Sequence, residues 1–192
     1  MSKKVLVLLA EGFEEVEAIT PIDYLRRAGI EVKVVSIASG DAGLQVQGAH
    51  GLWILADSTL EALANAGQGS AAFWDGVLLP GGMPGASHLA ASETVITLVK
   101  DMAAAGKLVA AICASPAVVL FPLGLLQDRR FTCFPGMETT VSGAQWVEEK
   151  VVRDGNIITS RGAGTAGVWA TAIIAYLTDP DTAQKIASAV LL

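Results

Sequence analysis

Sulfur and imidazole are scarce in this chain, which has two cysteines and two histidines among 192 residues. Two thiols, Cys113 and Cys133, make no disulfide framework, so a reducing compartment, the cytoplasm, is the expected location. No spacing of Cys, His and Asp suggests a metal site, and no metal is expected. Positive charge is short as well: 13 Lys and Arg face 19 Asp and Glu, for a net charge of −6. Such a surface has no electrostatic reason to bind nucleic acid or an anionic membrane, and neither partner is expected. The four tryptophans are scattered and form no stacking platform for bases. No apolar stretch nears the roughly 20 residues of a membrane span. The opening "MSKKVLVLLAEGFEEVEA" has the paired lysines of a signal peptide. Its apolar run is short, however, and ends on Glu11, Glu14, Glu15 and Glu17 with no cleavage pattern, so it reads as a first strand. The glycine-rich "LPGGMPG" and "SRGAGTAG" lack dinucleotide or P-loop spacing, so no cofactor is expected.

What is present is apolar bulk. Hydrophobic residues make up 52% of the chain and charged residues 17%, as in a globule with a sizeable core. One domain over 1–192 is expected. Short β-branched and leucine-rich runs alternate with helical stretches, the pattern of an α/β protein with a largely parallel sheet. Strands are expected at 4–10 and 30–38, in the stretch "AAFWDGVLLPGG", at 108–112 and in "RFTCF". "LQVQGAHGLWILAD" reads as a hairpin near an edge, with Gly48 and Gly51 at its turn, and "EKVVRDGNIITSRG" as a pair hinged on Asp154 and Gly155. Helices are expected near 14–28, 59–66, 93–105, 165–177 and 181–191, while 135–145 stays undecided. Ligands of open α/β sheets bind outside the carboxyl ends of the strands. Four strand ends carry punctuation: "AEGFEE", "LPGGMPG", "AICASP" and "TSRGAGT". If the strands are parallel neighbours, these loops share one rim.

Cys113 ends the run "LVAAIC" just before Ala114, Ser115 and Pro116, at a strand-to-helix elbow. Unpaired N–H groups and the helix dipole at such a spot stabilise the thiolate, the nucleophilic form. Amides of this elbow, with one from the Gly81–Gly82 loop, are suited to hold an oxyanion. A buried cysteine can equally be core filler, and the convergence of loops favours the nucleophile. Neither His50 nor His88 lies in an obvious partner position, and both read as surface residues. The carboxylates of the first helix are better partners. At about 100° per residue, Glu17 falls between Tyr24 and Ala28 on the apolar side. Glu15 shares a face with Arg26, as an exposed residue does, and Glu14 is a reserve. A buried Glu17 without a cation stays protonated and titrates as a pair with the thiol. Cys133 reads as a core residue of its strand.

"LLAEGFEEVEAITPIDYLRRAGIEV", "VLLPGGMPGA", "LVAAICASPAVVL" and "ITSRGAGTA", in this order and spacing, resemble the ThiJ/PfpI superfamily and its DJ-one subfamily. The resemblance runs through essentially the whole chain. It implies a flavodoxin-like three-layer α/β sandwich with a mostly parallel central sheet and helices on both faces, and a homodimer. It also implies Cys113 as an oxidation-sensitive nucleophile and Glu17 as its carboxyl partner. The oxyanion amides are then those of Gly82 and Ala114, with Gly81 shaping the loop and Arg161 near the pocket. Described members are cofactor-independent glyoxalases acting on small reactive carbonyls such as methylglyoxal, deglycases, or redox-responsive protective proteins. Two reaction classes are therefore expected: glyoxalase III-like conversion of methylglyoxal to lactate with a related deglycase activity, or a redox-sensing, chaperone-like role in which Cys113 oxidises to sulfinate. The chain departs from the pattern at Phe134, where many relatives have histidine. It also has Ala114 where the peptidase-like branch has histidine, which argues against protease activity.

Overall fold

The apolar runs become the inner strands of one sheet. In the computed structural model, which describes residues 2–192 without the side chains of residues 41 and 42, β1 (Lys4–Leu9) leads through α1 (Glu15–Arg27) to β2 (Glu31–Ser36). A hairpin follows, made of β3 (Gln45–Gln47) and β4 (Trp53–Leu55), and then β5 (Ser58–Thr59) and α2 (Leu60–Asn65). β6 (Gly76–Leu79), α3 (Gly85–Ala91), α4 (Glu93–Ala104) and β7 (Leu108–Ile112) complete the centre. The last third holds β8 (Arg130–Phe131), β9 (Gln145–Trp146), β10 (Val151–Asp154), β11 (Ile157–Ser160), α5 (Ala166–Leu177) and α6 (Pro180–Ala189).

The main sheet has seven strands in the order β10-β11-β7-β6-β1-β2-β5. Every neighbouring pair is parallel except β10 with β11. Strands covered on both faces need no polar side, and β7, and β1 from Val5 on, are accordingly apolar. Their period of two splits the core. Val5, Val7 and Leu9 of β1 pack with Ala18 and Leu25 of α1 and with Trp169 and Ile173 of α5. Leu6 and Leu8 face Leu60 of α2, Leu89 of α3 and Val95 and Met102 of α4. The result is a three-layer, flavodoxin-like sandwich with helices on both faces. No helix of the described residues is long and apolar enough to cross a membrane.

From β1 the chain steps to β2 on one side, and it later returns to β6 on the other. The loops after β1 and β6 therefore leave in opposite directions and open a crevice, the usual ligand position in such sheets. β7 and β11 follow β6 in the sheet, so all four punctuated loops end on the same rim.

Two local expectations need correction, and one undecided stretch is resolved. The expected strand "RFTCF" stops at Phe131, because the Thr132 amide donates to Thr159 Oγ1 at 2.9 Å and the Phe134 amide to the Cys113 carbonyl at 2.8 Å. The elbow after Cys113 enters a single π-helical turn, Pro116–Leu120, where an α-helix was expected. The undecided stretch 135–145 holds a 3-10 turn, Met137–Thr140, and runs into β9, which pairs with β8.

Candidate active site

Cys113 follows the last residue of β7 and has a backbone φ of 62°, a left-handed value that a non-glycine residue adopts only under constraint. The constraint is visible on both sides. Its amide donates to the Ser160 carbonyl at 3.0 Å, and its carbonyl accepts from Phe134. Two residues on, the buried Ser115 hydroxyl donates to the Pro80 carbonyl at 2.6 Å, tying the elbow to the loop after β6. The thiol is thus turned toward that loop and remains partly accessible.

Glu17 reaches the same point from α1. Its side chain is fully buried, and Oε2 accepts from the Gly81 amide at 2.8 Å. Oε1 is buried and has no hydrogen-bond partner. Gly81 sits between the two reacting groups: a Cβ there would come within 2.6 Å of Cys113 Cβ and 2.7 Å of Glu17 Oε2. Only glycine lets them approach. At Gly82 the backbone is left-handed, with φ of 87°, and a Cβ would strike the backbone of Glu14.

Burial pushes the Glu17 carboxyl up to about 7, against the opposing pull of the Gly81 amide and the Cys113 thiol. Burial also pushes the Cys113 thiol up to about 12, and the charge of Glu17 adds to the shift. Amide bonds from Gly82 and Ala114 work in the other direction. The expectation that the elbow alone lowers the thiol is therefore overturned, since desolvation and a neighbouring carboxylate outweigh the amides. Two groups this close titrate as one unit. The pair releases its first proton near neutrality and holds the second strongly, because a second negative charge in a buried site is costly.

The other anticipated residues divide. The amides of Gly82 and Ala114 do face the thiol. Arg161 follows β11 on the same rim, but its guanidinium bonds Glu148 Oε1 at 3.1 Å, and its charge acts on Cys133. Cys133 is fully buried and packs on the opposite side of the sheet from Cys113. His88 bonds the Glu11 carbonyl at 3.0 Å and lines a cavity of about 590 Å³ beyond β2 that does not include Cys113.

Glu15 is the clear miss, for it is buried and not exposed. The β3–β4 hairpin docks on the loop before α1, with Gly12 N–H on Gln47 O and Ala49 N–H on Phe13 O, both at 2.8 Å. Glu15 Oε1 then accepts from the amides of His50 at 2.7 Å and Leu52 at 3.3 Å, while Oε2 lies 3.0 Å from His50 Nδ1. Burial raises the Glu15 carboxyl, but His50 and the amides outweigh it and hold the group below its ordinary value. Gly48 and Gly51 announced the turn; nothing local announced where it would land. Glu14, Glu15 and His50 bring potential metal-ligand atoms within 4.8 Å of one another, yet both Glu15 oxygens are already engaged by the hairpin. This group is a structural clamp.

A family model described as the DJ-1/PfpI family matches residues 3–176. The chain belongs to the DJ-1/PfpI family. Among its members, protein dj-1beta of Drosophila melanogaster is 39% identical over 194 residues, covering 100% of this chain and 98% of its own. The crystal structure of Drosophila DJ-1beta superposes with a TM-score of 0.90 at 37% identity, over 100% of this chain and 99% of that one. Oxidised DJ-1 of Toxoplasma gondii gives 0.91 at 37% identity, over 99% and 98%. A protein named a deglycase from Pyrococcus abyssi is 34% identical over 168 residues, covering 86% of this chain and 94% of its own. The chain spans 41% of the length of another relative, DJ-1 homolog B of Arabidopsis thaliana, at 36% identity. These likenesses support a DJ-1-type function.

Proposed function

We propose that this DJ-1/PfpI member is a cofactor-independent cysteine enzyme acting on small reactive carbonyls. The reaction is a glyoxalase III-like conversion of methylglyoxal to lactate, with deglycase activity related to it. The observation that carries this reading is the pairing of Cys113 with a buried Glu17 whose Oε1 has no partner, at a site supplied with the Gly82 and Ala114 amides.

In the thiolate form of the pair, Cys113 adds to the aldehyde carbon and the alkoxide takes the proton of Glu17, giving a hemithioacetal. Glu17, now a carboxylate, removes the proton from that carbon to give an enediol and returns it to the adjacent former ketone carbon, while the hemithioacetal's hydroxyl proton passes to the former ketone oxygen. The Gly82 and Ala114 amides hold the oxyanion meanwhile. The resulting thioester is hydrolysed by water, which releases the hydroxy acid and the thiol. Arg161, engaged with Glu148, is given no step. Assay with methylglyoxal, with Cys113→Ala beside the wild type, tests the reading: lactate from the wild type and none from the variant is expected. No hydroxy acid from the wild type ends it.

A second reading, a redox sensor, is favoured by the accessibility of Cys113 against the complete burial of Cys133. Mild peroxide should then place two oxygens on Cys113 before Cys133 reacts, read by mass spectrometry. Equal oxidation of the two thiols counts against it. In either case we propose a homodimer. Val16 and Ile19 of α1 and Leu52, Trp53 and Leu55 at the docked hairpin are large apolar side chains left exposed, as an interface requires.

A further inference from the structure

We propose that Phe134 sets the substrate class of the Cys113–Glu17 site, favouring α-ketoaldehydes with an apolar or aromatic substituent over those with a hydroxylated one. The inference rests on the carbonyl-turnover reading above. Phe134 is pinned beside the nucleophile, with its amide on the Cys113 carbonyl at 2.8 Å and its own carbonyl accepting from the Met137 amide at 3.1 Å. The residue is nevertheless 50% exposed, whereas Phe13 and Phe131 are 2% and 1% exposed in the core. A half-uncovered phenylalanine on a fixed backbone is an apolar surface awaiting a partner.

Gly162 shows where that surface lies. A Cβ built on Gly162 would stand 3.7 Å from Phe134 Cδ2 and 3.8 Å from Glu17 Oε1. The ring edge and the unpartnered carboxyl oxygen therefore border one small space, above a residue with no side chain to fill it. A ketoaldehyde bonded to Cys113, with its transferable hydrogen at Glu17 Oε1, turns its remaining substituent to this wall. Nearby charged groups are committed elsewhere. His50 lies between Glu14 and Glu15, His88 on the Glu11 carbonyl and Arg161 on Glu148. Hydroxyls on the substrate thus meet a ring and lose their water, while an apolar substituent covers the ring and gains by doing so.

The experiment compares kcat/KM for phenylglyoxal, methylglyoxal and the hydroxylated hydroxypyruvaldehyde in the wild type, Phe134→Ala, Phe134→Leu and Phe134→Gln. Hydroxypyruvaldehyde should be the poorest substrate of the wild type, and a wild type that uses it as well as methylglyoxal overturns the proposal. The wild type should prefer phenylglyoxal by roughly 10-fold or more, the scale of discrimination by apolar contact. Phe134→Ala and Phe134→Gln should erase most of that ratio through KM for phenylglyoxal, and Phe134→Leu should restore part of it. A ratio unchanged in Phe134→Ala overturns the proposal. A second readout needs no turnover: Cys113 alkylation by N-phenylmaleimide relative to N-methylmaleimide should fall in the same variants. If the wild type makes hydroxy acid from none of these aldehydes, the enzyme reading fails, and the maleimide ratio alone then decides the role of Phe134.

Discussion

Glu15 and Glu17 lie two residues apart in the first turn of the same helix, both buried, and their fates are opposite. Glu15 meets a hairpin turn that brings two amides and an imidazole to its two oxygens, so its charge is compensated and its carboxyl sits below the ordinary value. Glu17 points into the crevice, has one amide on one oxygen and none on the other, and is pushed up to about 7. Burial raises both carboxyls; at Glu15 the donors outweigh it, and at the more deeply set Glu17 they do not. What separates them is the number of donors that tertiary structure supplies, and an under-supplied carboxyl is left with a proton to exchange.

Between the two carboxylates, the largest effect should come from Glu17→Gln, which keeps an acceptor for Gly81 and removes the shuttle. Its kcat/KM with methylglyoxal should fall by about 100-fold or more, the usual scale of general acid–base loss. An unchanged rate would remove Glu17 from the mechanism. Cys113 alkylation followed against pH sharpens the contrast. The wild type should show a step near 7, where the pair gives up its first proton, and Glu17→Gln should lose that step. A single midpoint at the ordinary thiol value of ~8.5 in both proteins breaks the coupling argument.

Stability should divide the two carboxylates in the other direction. Glu15→Ala strands the hairpin amides and should cost about 2 kcal/mol in denaturant unfolding at pH 7. Its wild-type contribution is present above the unfolded value of 4.5 and is lost as pH falls through the lower folded value. Glu17 has the opposite sign: its favourable contribution is complete below 4.5 and disappears as pH rises through about 7. Glu17→Gln should therefore unfold at a higher temperature than the wild type at pH 8, by at most about 3 kcal/mol of stability, with no gain at pH 4. The smallest effect is that of His50→Ala. The exposed imidazole is held above its ordinary value by Glu15 first and Glu14 next, so its contribution is full below 6.5 and lost as pH rises through the folded value. A slight drop in Tm at pH 6 that vanishes at pH 9 is expected. A loss equal to that of Glu15→Ala would assign the clamp to the ring instead of the amides.

Much of this arrangement is legible along the chain. The apolar runs of β1, β6 and β7 predict a largely parallel sheet, since two-sided burial writes itself as continuous hydrophobicity, and the turn residues after these strands and β11 mark the loops that share a rim once the strands are neighbours. The helical wheel also turns Glu17 inward. The same wheel misplaces Glu15, because it describes a helix against its own axis and cannot see the hairpin that covers the far side. Thr132 leaves its strand for a side-chain acceptor, Thr159 Oγ1, that is 27 residues away in sequence. The elbow at Cys113 is visible as a turn, but the raised thiol is not, for it depends on how many atoms and which charge surround the sulfur.

Residue order alone determined the α/β class and the positions of the inner strands, and it favoured Cys113 and Glu17, the pair that the family resemblance then singled out. Those features follow from periodicity and from residue types that few other chemistries use. Tertiary structure alone decided that the charge of Glu15 is compensated and that of Glu17 is not, that Arg161 pairs with Glu148, and that the Phe134 ring and Glu17 Oε1 both lie near Gly162. The reason is physical: desolvation and hydrogen-bond supply are sums over neighbours in space, and a carboxyl two residues from another can have a wholly different set.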